Sequence, residues 1–420
     1  MTTHQIAVSD FLRNNYGDYG RFVNLNRVTP GVDGLKSVQR RILFALNEEA
    51  RGTLISTMNA IGKTLTYHPF GDKSCEGVIN DMARVGILES QGDFGAMLME
   101  NIPAAAPRYT KVGLSKEKAA QMFNLINFVP KIEGEELIEP MYIPVPVPFA
   151  LVTGSLCWGL GMLDKIPAFR YESILAAFKN DDPSLLESQY GYIMDKSKSE
   201  LDKLWNEGEG RIHLSYKVSR VNKDEILISG SGELFTPSIE TFKPLQLDGQ
   251  IKVSDESDSS VNIRITRISG ARKVDMDEVF EDAKRIAVHN RKYTIRMSLN
   301  DKARRVSMKA WIEACMALYN KAFNESKEHR IKQVEKSIEV LTILPEIGKL
   351  VIAGKSDEEI QEAVKVDLEI VKTAIKKPVS MLRRASFEAE IEKLKSELED
   401  IKKSTIETEI DKFAEIFSNL

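Results

Sequence analysis

Arg108 and Tyr109 stand side by side in AAAPRYT, residues 104–110. Three alanines and a proline lead into them, and nothing apolar follows at helical or strand spacing for several residues. A phenol in such a loop is not an evident core residue. With an ordinary pKa of about 10, it is a weak nucleophile at neutral pH. It works when something holds it in line and stabilises the charge that develops. A neighbouring guanidinium suits the second task on a phosphate, because it is always charged and donates two parallel bonds to phosphate oxygens. The pair therefore suits attack on a phosphodiester. The alternative is an ordinary surface tyrosine.

Other stretches suggest chemistry less well. IGKT at 61–64 looks like the end of a phosphate-binding loop, but the full pattern needs glycine at 57, where Thr57 stands. Asp275 and Asp277 in VDMDE have a spacing some magnesium sites use, yet no further acid completes one. They open the apparent helix DMDEVFEDAKRIAV, where acids favour the helix dipole. His68 in YHPFGD reads as a buried, satisfied histidine. Trp158, among glycines at 154, 159 and 161, reads as a core aromatic, with a wedge into a base stack as the alternative.

Bulk properties narrow the class. A chain of 420 residues with 42% hydrophobic content implies two or three ordinary domains. No apolar run is long enough for a membrane span, and the first residues lack a signal-peptide layout. Cys75, Cys157 and Cys315 are far apart, which suits a reducing cytoplasm and offers no zinc spacing. The net charge of −4 hides a contrast: residues 27–41 carry Arg27, Lys36, Arg40 and Arg41 against Asp33, while the last 35 residues are acidic. This contrast predicts a local anion site at the basic end.

Three regions must position these residues. Residues 1–165 mix short helices with Gly- and Pro-rich loops. Within them SVQRRILFALNEEA predicts a helix with Val38, Ile42, Leu43 and Leu46 on one face. Residues 139–153, with prolines at 140, 144, 146 and 148, predict an extended run that is no central strand. Residues 166–295 predict an α+β domain with an antiparallel sheet. Ile212, Leu214, Tyr216 and Val218 alternate as one strand, VNIRITRI repeats the pattern, and SDESDSS is a polar loop between them. From about 296 the chain reads as helical to its end. Stripes at Ile331, Val334, Ile338, Leu341 and at Phe387, Ile391, Leu394, Leu398, Ile401 predict two long antiparallel helices. Pro345 and Gly348 interrupt the first and Pro378 precedes the second. A small helical knot at about 343–380 would sit between them as a candidate dimer contact. An ordinary helical bundle is the alternative.

The stretches RVTPGVDGLKSVQRRILFAL, YHPFGD, QGDFG, AAAPRYT and ALVTGSLCWGLGM resemble, in order and spacing, the DNA breakage–reunion subunit of type IIA topoisomerases. That family includes the A subunits of gyrase and topoisomerase IV. The short chain, with bacterial and eukaryotic features mixed, looks most like a bacteriophage member. The resemblance implies a helix-rich α+β fold. Residues 1–165 would be N-terminal helices and a winged-helix DNA-cleavage domain, and 166–295 a tower domain with an antiparallel sheet. Residues 296–420 would be a long antiparallel coiled coil with a helical dimer gate at about 343–380. Tyr109 matches the catalytic tyrosine that forms a 5′-phosphotyrosyl link, and Arg108 the arginine beside it. Arg27, Lys36, Arg40 and Arg41 match the basic segment that holds DNA phosphates. His68 matches a histidine near the cleaved phosphate, and Trp158 an isoleucine wedge that bends DNA. Both resemblances reverse the readings made from the residues alone.

The sequence departs from the family in places. Phe70 replaces a second histidine of the bacterial HPHGD, Gln39 stands where bacterial members carry histidine, and Thr64 to Thr66 are extra. Lys73 sits where bacterial members often have the serine linked to quinolones, while Ser74 matches the eukaryotic serine and is a DNA-contact candidate. No DNA-wrapping domain is expected after the helices. ATP and Mg2+ are both expected on a partner subunit, so no metal ligand is assigned to this chain. The partners implied are duplex DNA, a second copy through the C-terminal gate, and that ATPase and magnesium-binding subunit, in the cytoplasm of the host. The rival function is a non-catalytic DNA-binding architectural dimer.

Overall fold

A computed structural model of the chain describes residues 7–95, 103–133, 138–189, 192–193, 198–230, 241–257, 261–270, 274–299, 302–366, 368–376 and 387–418. It is a helix-rich α+β protein whose strands pair antiparallel. The chain divides into two compact units, Met1–Tyr319 with Lys412–Leu420, and Asn320–Asp411. Among the described residues no helix is long and apolar enough to cross a membrane.

The first unit opens with a helical stretch, residues 8–28, that turns π-helical over Phe11–Tyr16 and Asn24–Val28. Helix α1 (Ser37–Glu49) follows, and Val38, Ile42, Leu43 and Leu46 are buried as their spacing predicts. The Lys36 backbone N–H donates to the Gln39 side chain at 2.9 Å, which caps the helix start. Strand β1 (Ile55–Ser56), helices α2 (Thr57–Tyr67) and α3 (Asp72–Arg84), and strands β2 (Glu89–Gln91) and β3 (Lys111–Gly113) come next. The three strands form one sheet in the order β1-β3-β2. Ile42, Leu43, Ile61, Ile79 and Met82 share one core. Fully burying a side chain of that size contributes about 1.5–3 kcal/mol.

Helix α4 (Lys116–Phe123) leads to the two-stranded pair β4 (Lys131–Glu133) and β5 (Ile138–Pro140). The proline-rich run opens in β5, is irregular from Met141 through Pro148, and then turns into α5 (Phe149–Thr153), every residue of which is buried. Apolar FALVT carries no proline, so nothing prevents the turn. The hairpin β6 (Ser155–Gly159) and β7 (Met162–Ile166) follows, with Gly161 at φ +70° in its turn.

Beyond α6 (Tyr171–Asn180), β8 (Tyr192–Ile193) and α7 (Lys198–Glu207), the expected strand at 212–218 proves to be two. Strand β9 (Glu209–Ser215) sends Ile212 and Leu214 into the first core. Tyr216 breaks away to donate its N–H to Ala287. Strand β10 (Lys217–Asn222) then joins β11 (Glu225–Gly230), β12 (Ile251–Asp255) and β13 (Val261–Arg267) in the order β10-β11-β13-β12. That sheet buries Ile226, Ile228, Ile263 and Ile265 against α8 (Met276–Ile286) in a core of its own. Alternation ran on through Tyr216 because two strands of matching phase meet there. Part of SDESDSS belongs to β12, and 258–260 lie outside the described residues.

The chain is not yet helical at 296. Strand β14 (Val288–Thr294) pairs with β9, and the hairpin β15 (Arg296–Leu299) and β16 (Lys302–Arg305) precedes α9 (Met308–Ile352). Met297 is buried and the Ser298 N–H donates to Pro30 at 2.8 Å, so tertiary contacts hold these residues extended.

In the second unit, α9 from Asn320 onward runs through Pro345 without a break. An interior proline costs about 3 kcal/mol. Buried Val340, Leu344 and Ile347 pack with Ile360 of α10 (Asp357–Val364), Val371 of α11 (Leu368–Ile375) and Phe387, which offsets it. Pro378 lies outside the described residues. Helix α12 (Glu388–Lys403) returns alongside α9. Lys327 donates to the carbonyls of Lys402 and Ser404, while the far end of α9 packs on Phe387 and Ile391, so the two run antiparallel. The return helix stops at Ser404, where the backbone is extended, and α13 (Ile406–Phe417) begins anew. Thr405 and Thr408 exchange backbone-to-hydroxyl bonds at 3.3 Å, a local cap that interrupts the helix. In the first unit Phe413 and Phe417 stack at 4.3 Å and pack on Phe149 and Tyr171.

Candidate functional site

The start of α2 holds the tyrosine loop. A helix begins with backbone N–H groups that lack an intrahelical partner. Here the Thr57 N–H donates to the Thr110 carbonyl at 2.9 Å, Met58 to Pro107 at 3.2 Å, and Asn59 to the Ser56 hydroxyl at 3.2 Å. The buried hydroxyl of Thr110 donates to that of Thr57 at 2.7 Å. Between these anchors the Tyr109 N–H turns back to Ala106 at 2.8 Å. Thr110 is locked inside while the Tyr109 ring is 68% exposed. Arg108 is exposed too, its guanidinium 4.6 Å from the centre of the Tyr109 ring. That contact is worth only about 0.5–1 kcal/mol at an exposed site, so the guanidinium is free to leave it for a phosphate.

QGDFG supports the same loop. The Asp93 carbonyl accepts from Ala105 at 2.9 Å. Gly92 stands at φ +110°, a backbone that side-chain-bearing residues rarely adopt, and a Cβ there would press on the Tyr109 carbonyl oxygen at 3.1 Å. Its glycine is a requirement of the tyrosine loop.

A second group gathers at the other end of α2. His68 caps that end and is 2% exposed. Its Nδ1 lies 3.1 Å from Arg41 Nη1, and Arg41 makes a two-bond pair with Glu139 at 2.6 and 2.8 Å. Phe70 meets the His68 ring edge-on at 4.8 Å, and exposed Arg27 covers Phe70 at 4.2 Å. Burial, with the charges of Arg41 and then Arg27, pushes the His68 pKa down to about 4, against a smaller pull from Glu139. The 11-residue helix between them sets the tyrosine and histidine groups about 15 Å apart along its axis.

The low His68 pKa has a consequence for stability. The folded ring stays neutral where the unfolded one, near pH 6.5, takes up a proton. The associated stability is therefore complete above about pH 6.5 and drains away as pH falls towards 4, by roughly 3 kcal/mol in all. Urea melts at pH 7 and pH 4.5 are expected to show a larger loss for the wild type than for His68→Asn. Equal losses would remove His68 as the source.

The basic segment is mostly turned inward. Arg40 donates to buried Asp33 from Nε at 2.7 Å and from Nη2 at 2.9 Å. Asp33 also accepts the N–H groups of Leu35 at 3.1 Å and Ile143 at 2.9 Å. Lys36 donates to the Leu156 carbonyl at 2.7 Å, and burial lowers its pKa. So Arg40 and Lys36 are already spent on protein acceptors, whereas Arg27 faces solvent. Ser74 is exposed on the first turn of α3.

Trp158 is 75% exposed on β6, which removes the core reading. Its direct cross-strand partner Leu163 is 64% exposed, so the two stand on one face of the hairpin. Lys36 ties the base of the hairpin to the basic segment. Asn24 ties its tip to the N-terminal helix, exchanging bonds with Leu160 at 2.9 and 3.0 Å.

The profile of the family of DNA gyrase and topoisomerase IV A subunits matches residues 27–418. The chain belongs to this family. It is 28% identical over 291 residues to the DNA gyrase A subunit of Buchnera aphidicola subsp. Acyrthosiphon pisum, which covers 60% of this chain and 35% of the relative. The DNA topoisomerase 4 A subunit of Borreliella burgdorferi is 28% identical over 284 residues, 64% of this chain and 44% of its own. The Escherichia coli K12 protein of that name is 28% identical over 308 residues, 66% and 41%. The chain thus spans less than half the length of these relatives.

Within this member of the gyrase and topoisomerase IV family, IGKT lies inside α2. Lys63 pairs with Glu49 at 2.6 Å and the Thr64 hydroxyl donates back to Ala60 at 2.8 Å, which leaves no loop to cradle a phosphate. Asp275 caps α8 and Asp277 pairs with Arg220, as a solvated helix start requires. Among the described residues no three His, Cys, Asp or Glu side chains gather to hold a metal. Sequence reasoning missed Glu139 and Leu163. Glu139 lies 98 residues from Arg41. The turn glycine at 161 was the one local signal for Leu163, since it sets the hairpin register.

Proposed function

We propose that this chain is the DNA breakage–reunion subunit of an ATP-dependent type II topoisomerase. The observation that carries the reading is the Tyr109 turn, with an exposed phenol and its guanidinium on a loop bolted to a helix start, in a chain of this family. Tyr109 Oη attacks a backbone phosphorus as the bond to the 3′ oxygen breaks. The phenol loses its proton to solvent and the 3′ oxygen takes one up. One phosphodiester replaces another, so resealing needs no nucleotide. Arg108 neutralises charge on the phosphate, and the dipole at the start of α2 acts in the same direction.

Arg27 contacts DNA phosphates directly in this reading, with Ser74 on α3 beside the duplex. Lys36, Arg40 and Arg41 keep the basic segment in shape. Helices α1 to α3 with the three-stranded sheet suit a winged-helix cleavage domain within 1–165. The four-stranded sheet suits a tower domain within 166–295. The antiparallel helices suit a coiled coil within 296–420, with a dimer gate at about 343–380. Two copies would then cut the two strands of one duplex. In this reading magnesium and ATP are supplied by a partner subunit, and no step here runs through them.

Trp158 and Leu163 form the wedge that opens a base step and bends the duplex. Trp158→Ala is expected to change stability by less than about 0.5 kcal/mol, since the ring is exposed. It should cut DNA bending, read by fluorescence transfer between duplex ends, and cleavage with it. A comparable loss of folding stability would return Trp158 to the core.

The breakage reading is tested by mixing the chain with its partner subunit, magnesium and duplex DNA, then adding detergent. Protein attached to 5′ ends is expected. DNA binding without any such adduct would leave a non-catalytic architectural dimer.

A further inference from the structure

His68 is held by a chain of side chains that ends in a carboxylate. Arg41 is its middle link, with two bonds to Glu139 and one contact to His68 Nδ1 at 3.1 Å. A guanidinium has five N–H donors, no acceptor, and keeps its proton. The nitrogen facing it can therefore only accept. An imidazole whose Nδ1 accepts is neutral and carries its hydrogen on Nε2.

We propose that Glu139 is a positioning residue that acts through Arg41 to hold His68 as the neutral Nε2–H form. This rests on the breakage reading and specifies the form His68 takes in it. His68 is then neither the base that takes the tyrosine proton nor a cation on the phosphate.

The geometry favours this role in three ways. The paired bonds from Glu139 leave the guanidinium one plane, so its Nη1 points along a set direction. Glu139 arrives on β5, an element separate from both α1 and α2, so the grip spans three elements. Phe70 holds the ring from another side, beneath Arg27. The charged groups around the ring, Arg41, Arg27 and Glu139, include two cations that oppose a second proton. A ring held in this way keeps the same neutral form from pH 5 to pH 8.

The test is nitrogen-15 NMR of the full chain labelled at histidine, without DNA, with His68 assigned by its loss in His68→Gln. The wild type should show a protonated Nε2 and a bare Nδ1, unchanged from pH 8 to pH 5. In Glu139→Ala the guanidinium is released, and the His68 signals should move to a mixture of both neutral forms. Glu139→Gln, which keeps the shape and one acceptor, should fall between and covers the case that the alanine variant does not fold. DNA cleavage by the assembled enzyme should fall about 10- to 100-fold in Glu139→Ala. A proton on Nδ1 in the wild type, or His68 signals indifferent to both substitutions, overturns the proposal. Absence of any Tyr109 adduct in the wild type sinks the breakage reading instead, and the tautomer, read without DNA, is decided separately.

Discussion

A Tyr109→Phe chain is expected to fold like the wild type, bind DNA with the same salt dependence, and form no covalent link to it. The substitution removes one oxygen from a ring that is 68% exposed. The loop around it is held by backbone bonds at Thr57, Met58 and Thr110, none of which uses the phenol. Phenylalanine also keeps a ring face for Arg108. The stability change should stay within about 0.5 kcal/mol. Loss of a nucleophile typically lowers the rate by a factor on the order of 10⁴ or more, so adduct falls below detection. Gel detection of protein-linked 5′ ends and a urea melt decide the matter together. An adduct that persists in Tyr109→Phe moves the nucleophile elsewhere, and a large stability loss would mean the ring is structural.

The largest effect on stability is expected at Asp33. Its carboxylate accepts four bonds, two from Arg40 and one each from the backbone of Leu35 and Ile143. Alanine there leaves a largely buried guanidinium uncompensated and two backbone donors without an acceptor. Breaking a buried pair from one side costs about 3–5 kcal/mol. The loss should appear as a lower urea midpoint with unchanged slope. Because what costs is the stranded charge, Asp33→Ala combined with Arg40→Met should recover part of it. A double variant as unstable as the sum of the two singles would refute that account. The same change should loosen residues 27–36 and weaken DNA binding through Arg27, although Asp33 touches no DNA in the proposed reading.

Helix α1 was readable because four apolar residues at helical spacing have one way to be buried. The chemistry proposed for Arg108 and Tyr109 rests on residue type, and their setting in five ordered motifs points to the family that the whole chain matches. Local patterns failed where distant groups decided the outcome. Tyr216 looked like the middle of one strand and is the break between two sheets with separate cores. Pro345 looked like a helix end, yet the burial of Leu344 and Ile347 carries the helix through it.

The functional side chains divide in the same way. Residue type alone made Arg27, Lys36, Arg40 and Arg41 equivalent cations. Only tertiary structure turned Arg40 to Asp33, Lys36 to Leu156 and Arg41 to Glu139, and left Arg27 in solvent. Trp158 among glycines carried no sign of direction, and the pairing of β6 with β7 places it outside beside Leu163. A sequence states which groups are available and how they repeat along the backbone. Which of them face a partner or water depends on how the elements pack, through near contacts such as Arg40 with Asp33 and through distant ones such as Arg41 with Glu139 and Lys36 with Leu156.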